Sequence, residues 1–224
     1  MQQDPLLGVR NYYYAGAYEK TLAGLKDAPQ SLFETRLLLL RCYLAQRSYA
    51  QISTATRGES VPELLALSIL ARAFSSGADD SGAADEMRDL VASTDPSAGL
   101  GNGSGVPLLA GMLYYFLGLF DDACKVLVLR QKDLECTAML VQVYLKMDRP
   151  DLAEKEVSAM RGWADDATLA QLVEAWVNTY SKESSRKFQD AFYIFEELAS
   201  SKAATPALLS GQAVCRMQGI PVCG

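Results

Sequence analysis

The sequence predicts an all-α solenoid of antiparallel helix pairs with an incomplete last repeat, and three observations carry that prediction. One phrase recurs: a short turn, an aromatic, then small and apolar residues at helical spacing. It reads GAYEKTLAGL from Gly16, QRSYAQISTA from Gln46, GLFDDACKVL from Gly118 and KFQDAFYIFEEL from Lys187. The aromatics keep step: Tyr12 and Tyr18 are echoed 31 positions later by Tyr43 and Tyr49, and Tyr114 and Phe120 repeat the same six-residue spacing. Finally, Ala123 and Ala191 lie 68 apart, two units of about 34 residues, the period of tetratricopeptide helix pairs. Stacked hairpins of this kind bury apolar faces that none could bury alone, and such arrays usually hold other proteins.

The helix pairs are placed at about 5–26, 32–56, 62–93, 106–131, 134–161 and 167–200, with a further helix over about 205–218. Within a pair, the close approach of two backbones requires a small side chain, and the open end requires a large one. Ala123, Ala153 and Ala191 fit the first need; Tyr18, Tyr49, Phe120 and Phe188 fit the second. In the third pair, SSGADDSGAADEM carries two glycines and a polar cluster, so its turn is longer than the others. TDPSAGLGNGSGVP from Thr94 is the clearest linker, spanning 94–107, and reads as a long surface loop.

The fourth pair opens on the uncharged run VPLLAGMLYYFLGLF, Val106 to Phe120. Fifteen helical residues rise only about 22 Å against a hydrocarbon core of about 30 Å, so a buried helix is expected rather than a membrane span. Asp121 and Asp122 then start the next helix at the positive end of its dipole. In the fifth pair, Pro150 suits a first helical turn, Leu152, Ala153, Val157 and Met160 share one buried face, and Gly162 is the expected terminator. SKESSRK from Ser181 lengthens the turn before Phe188 and reads as solvated. The last helix, SGQAVCRMQG, matches half a unit and is followed only by IPVCG. Leu208, Leu209, Val214 and Met217 are therefore expected to lack cover. The domain expectation is one array over 1–219 with a short tail at 220–224.

Composition removes several kinds of function. The chain has 224 residues, half of them hydrophobic, and a net charge of −6. With no Lys/Arg block longer than two, nucleic acid is not an expected partner. Met1 to Arg10 lacks the pattern of a secretory signal, so the expected compartment is the cytosol. The five cysteines, Cys42, Cys124, Cys136, Cys215 and Cys223, are odd in number and show no CxxC spacing, so free thiols are expected. Cys42, Cys124 and Cys136 read as small helix-packing residues.

There is no histidine, which removes Ser-His-Asp and Cys-His catalysis and histidine-based metal sites. The carboxylate pairs Asp121 with Asp122, Asp165 with Asp166, and Glu196 with Glu197 read as caps and solvated faces, since acid/base work needs carboxyls that converge in a cleft. GLGNGSG from Gly99 imitates a nucleotide-binding loop but follows no strand. No catalytic residue, metal, cofactor or small-molecule substrate is expected.

Consecutive helical residues cannot all face one way. One member of each aromatic run, Tyr12 to Tyr14 and Tyr114 to Phe116, must therefore pack inside. Arg10, Arg41 and Gln142 fall two residues before the key aromatics, which puts them on the concave wall in this register. With Tyr13, Leu44 and Tyr115 they are the candidate partner contacts.

Longer strings carry a more specific resemblance. DLECTAMLVQVYLKMDRPDLAEKEV, WADDATLAQLVEAWV, FQDAFYIFEELA and LLSGQAVCRMQG strongly resemble the coatomer epsilon subunit family. NYYYAGAYEKTLAGL and RLLLLRCYLAQRSY resemble that family's first two repeats, so the likeness runs from Val9 to Gly219. The resemblance implies a non-catalytic subunit of the COPI vesicle coat that binds the carboxy-terminal region of the coatomer alpha subunit. It also implies a role in Golgi-to-ER retrograde and intra-Golgi transport, and a location in the cytoplasm, peripheral on Golgi membranes and COPI-coated vesicles without direct membrane insertion. The Gly-rich stretch after Thr94 and the short end after Gly219 depart from the family pattern. The alternative is a general peptide-binding adaptor, such as a co-chaperone that clamps an acidic tail, which requires converging cations. Arg10 and Arg41 are the cations available on the proposed wall.

Overall fold

The computed structural model describes residues 5–29, 32–77, 82–95, 97, 99, 101, 103–130, 132–164, 166–180 and 185–218. The expected turn at 78–81, the SKES segment at 181–184, Asp165, Cys223 and the tail 220–224 lie outside the described residues. Among the described residues the elements are thirteen helices. In order they are α1 Leu7–Tyr14, α2 Tyr18–Asp27, α3 Phe33–Ala45, α4 Tyr49–Ala55, α5 Pro62–Ser76, α6 Ala83–Ser93, α7 Val106–Phe116, α8 Phe120–Leu127, α9 Leu134–Lys146, α10 Pro150–Ala164, α11 Thr168–Tyr180, α12 Ser185–Ser201 and α13 Pro206–Met217. The six pairs and the final helix expected from the sequence all form.

Three of the four recurring phrases mark one turn, which is used again after α9, whereas KFQDAFYIFEEL from Lys187 lies within α12 and contains no turn. After α1, α3, α7 and α9 the chain enters the left-handed region at Gly16, Arg47, Gly118 and Asp148, with φ of 79°, 58°, 77° and 57°. In each turn the N–H of the next residue donates back to a tyrosine carbonyl: Ala17 to Tyr12 (2.9 Å), Ser48 to Tyr43 (2.8 Å), Leu119 to Tyr114 (2.8 Å) and Arg149 to Tyr144 (2.9 Å). The left-handed residue itself bonds the following carbonyl, on Tyr13, Leu44, Tyr115 and Leu145. This is the Schellman helix stop, which satisfies the last carbonyls and reverses the chain at once. The six-residue aromatic step thus measures the distance from the accepting carbonyl to the first residue of the next helix.

Close crossings hold the hairpins. Ala123, Ala153 and Ala191 are fully buried, as their small size predicts. Gly111 on α7 lies so near α8 that an added Cβ would meet Leu127 at 2.6 Å, and Gly211 on α13 stands in the same relation to Phe195 of α12 at 2.7 Å. Of the α10 face, Ala153, Val157 and Met160 are buried and Leu152 is partly so. Gly162 does not end α10, which runs on to Ala164. Glycine's helix propensity is a weak, local preference, and the last turn of α10 also carries Arg161, which reaches Glu174 of α11 at 2.6 Å.

The chain divides into two compact units. One combines Met1–Thr21 with Tyr144–Gly224; the other is Leu22–Val143. In the first, α1 packs against α11, and α13 packs against α11 and α12. Its core joins Ala15 to Leu172, Ala175, Ala191, Phe195, Leu208 and Cys215. Leu208, expected to lack cover, is 1% exposed because it lies in this core; Leu209, Val214 and Met217 are exposed. In the second unit α5 packs on α3, α4, α6 and α7, and α7 packs on α8. Among the described residues no helix is long and apolar enough to cross a membrane, and the apolar run from Val106 forms an ordinary eleven-residue helix. Of the described residues in the 94–107 stretch, Asp95, Ser97 and Gly99 are exposed, as a surface loop requires, whereas Gly103 and Ser104 are buried.

Candidate protein-binding surfaces

In the second unit the candidates sit on α3, α7 and α9. Arg41 of α3 is directed at Glu135, in the first turn of α9: Nη2 donates to Oε1 at 2.8 Å and Nη1 to Oε2 at 3.0 Å. The side chains retain 12% and 25% of their exposure, so the bidentate pair is largely withdrawn from water. Arg41 was expected as an open polar contact, and the structure instead gives its guanidinium a carboxylate from within the chain. Leu44 is 4% exposed and belongs to the core, so it supports the hairpin and offers no surface. Tyr115 is half-buried, with its ring 6.0 Å edge-on from Phe120. Gln142, also half-buried, lies two turns along α9 from Glu135. Tyr114 is the inward member of its aromatic run at 3% exposure, whereas Phe116 is outward and meets the Phe74 ring at a 50° tilt with centroids 4.5 Å apart.

In the first unit α1 carries Arg10 and Tyr13, both partly exposed. Tyr13 stands edge-on to Tyr14 and Tyr18 at 5.9 and 5.8 Å. Tyr14 leans on the core. Lys20 lies 5.4 Å over the Tyr12 ring and donates to the Lys202 carbonyl at 2.8 Å. The α1 end is also tied by Thr205, whose Oγ1 donates to the Ala15 carbonyl at 2.6 Å and accepts from the Leu208 N–H at 3.4 Å. Glu135, Lys20 and Thr205 were not singled out by the sequence. Glu135 and Arg41 are 94 positions apart with no shared motif, whereas threonine before a helix-opening proline at Thr205 is a legible cap.

The ionisable groups are engaged structurally. Cys42 is buried, which pushes its thiol up to about 12, and burial also raises Cys136 strongly. Neither is a nucleophile at neutral pH. Asp122 is held below the usual carboxylate range chiefly by its hydrogen bond from Lys125, and Asp151 is lowered to about 2 chiefly by Arg149. Glu196, Glu197 and Asp166 are exposed, and no group of three or more metal-ligating side chains occurs among the described residues. Of the candidate residues, Arg10, Tyr13, Tyr115 and Gln142 keep partly exposed aromatic and polar side chains, suited to contact with another macromolecule.

The family model for the coatomer epsilon subunit matches residues 2–220. The chain is similar to the coatomer subunit epsilon of Dictyostelium discoideum, with 33% identity over 96% of this chain and 73% of the relative. Coatomer subunit epsilon-1 of Arabidopsis thaliana is 30% identical over 96% of this chain and 72% of its own. The probable coatomer subunit epsilon of Schizosaccharomyces pombe is 28% identical over 92% and 66%. A family match over nearly the whole chain, with a relative at 33% identity over 73% of its length, shows that this chain belongs to the coatomer epsilon subunit family.

Proposed function

We propose that this chain is a non-catalytic structural subunit of the COPI coat that binds the carboxy-terminal region of the coatomer alpha subunit. Through that subunit it joins the rest of the coat and supports Golgi-to-ER retrograde and intra-Golgi transport. The match to the coatomer epsilon family over 2–220 carries this reading. The family is one of structural coat subunits, not enzymes, which agrees with thiols held protonated by burial and carboxylates spent on caps and ion pairs. Its place is the cytoplasm, peripheral on Golgi membranes and COPI-coated vesicles.

Partner contact falls on Arg10 and Tyr13 in one unit and on Tyr115 and Gln142 in the other, all partly exposed. Arg41 contributes through its pair with Glu135. The test is a pull-down of the purified chain against the carboxy-terminal part of a coatomer alpha subunit. Enrichment over an unrelated helical protein is expected, and its absence would overturn the assignment of this partner.

A further inference from the structure

The glycine-rich stretch that imitates a nucleotide loop does surround an anion. Three backbone N–H groups, of Gly101, Gly103 and Gly105, point at one carboxylate oxygen, Oε1 of Glu63, at 3.0, 3.1 and 3.2 Å. Glu63 is 0% exposed, and its other oxygen is buried with no hydrogen-bond partner in the protein. Burying a carboxylate is expensive unless hydrogen bonds hold the charge, and converging backbone N–H groups are a recurrent way to do so.

Two helix starts add to that field. Glu63 lies in the first turn of α5, and Gly105 is the residue that caps α7, so both positive helix ends approach the same carboxylate. The glycines are there for geometry. Gly101 and Gly103 have φ of 89° and 113°, and a Cβ on Gly103 would meet Thr94 at 2.9 Å. The Gly101 Cα is in turn packed beside the Phe33 ring of α3, 3.6 Å from where a Cβ would sit.

We infer that Gly101, Gly103 and Gly105 form a backbone binding cradle for a carboxylate, and that Glu63 is its built-in ligand. Its three donors converge on one oxygen, and Glu63 supplies that oxygen from within the chain, so these N–H groups are not left open to a nucleotide phosphate. It fastens Gly101, Gly103 and Gly105, ahead of α7, to the first turn of α5 within this unit.

Replacing Glu63 with alanine removes CH2–COO⁻, a fragment the size of acetate, so the full-length Glu63→Ala variant can be refilled. Hydrogen exchange of the Gly101, Gly103 and Gly105 amides is expected to speed up about tenfold or more, while the α12 and α13 amides stay unchanged. Sodium acetate is expected to restore protection at those three amides, and sodium chloride of equal ionic strength is not. Unchanged exchange at the three glycines would overturn the cradle. Loss of protection that acetate restores no better than chloride would overturn it too, reducing Glu63 to a packing residue. Should Glu63→Ala fail to fold, the isosteric Glu63→Gln variant decides: selective loss at the same amides supports the site, and full protection with a neutral side chain overturns it.

Discussion

The guanidinium of Arg41 grips both carboxylate oxygens of Glu135, 94 positions further along the chain, at 2.8 and 3.0 Å. The helix bearing Arg41 packs on α4 and α5, and the pair joins it to the first turn of α9. It acts as a polar strap within the unit 22–143. It also weakens the reading of an acidic-tail clamp, because the fork such a tail would need is already filled.

Removing either end of the strap leaves a mostly desolvated charge behind. Arg41→Ala and Glu135→Ala are each expected to destabilise the chain by about 2 kcal/mol. The double variant should lose less than the sum, with a coupling of about 1 kcal/mol. Chemical denaturation of the four proteins measures this cycle. Strict additivity would mean the pair contributes no net attraction. Affinity for the alpha-subunit region should fall alike in both single variants, whereas a loss confined to Arg41→Ala would make Arg41 a direct contact.

The four Schellman turns permit substitutions of opposite sign. Gly118 has a φ of 77° and open space where a Cβ would stand, so Gly118→Ala introduces backbone strain alone. Its expected cost is about 1 kcal/mol. Arg47 already bears that strain at a φ of 58°. Arg47→Gly relieves it at the expense of greater freedom in the unfolded chain, for a net gain of about 0.5 kcal/mol. Thermal melts of the two variants should shift in opposite directions. A matching sign would show that the turns are not equivalent.

The helix pairs were legible because their signals are local: a tyrosine, a turn and an aromatic six residues on fix where one helix stops and the next begins. Arg47 did not hide the repeat, since the aromatic spacing survives there without glycine; at Asp148 the sixth residue after Tyr144 is Pro150, and the proline rather than an aromatic marks the helix start. Residues whose partners are remote in sequence were misread. Arg41 looked like open surface because nothing near it announces Glu135, and Leu44 shared its expected wall only through an approximate register. Leu208 looked uncovered because its cover includes Ala15, from the opposite end of the chain. The anchoring of Gly101, Gly103 and Gly105 was not legible in the glycine-rich stretch because their acceptor, Glu63, is an isolated acid in an apolar helix.

Thr205 ties the two ends of one unit together. Its hydroxyl both caps α13 and bonds the Ala15 carbonyl, so Thr205→Val keeps the shape and removes both interactions. A loss of about 2 kcal/mol is expected. Because the acceptor follows α1 directly, exchange of the α1 amides should rise more than that of α5 or α7. Equal protection of α1 in both proteins would show that apolar contact alone secures it.

The buried thiols predict how stability depends on alkaline pH. Cys42 is raised from 9.0 to about 12 by desolvation, partly opposed by the charge of Arg41. Below pH 9 the thiol is protonated in folded and unfolded chains alike, and its contribution is constant. Between pH 9 and 12 the unfolded chain ionises while the folded one resists, so the unfolded state gains and stability falls with rising pH. Cys136 is raised in the same direction by burial and acts in the same sense. The slope of unfolding free energy over pH 9–11 should therefore be shallower in Cys42→Ala than in the parent chain, whatever the offset from the lost side chain. Alkylation at pH 8 offers a second reading: Cys42 and Cys136 should react only on unfolding, and the half-exposed Cys124 should react earlier. Identical slopes in the two proteins would mean that Cys42 ionises as readily inside the fold as outside it.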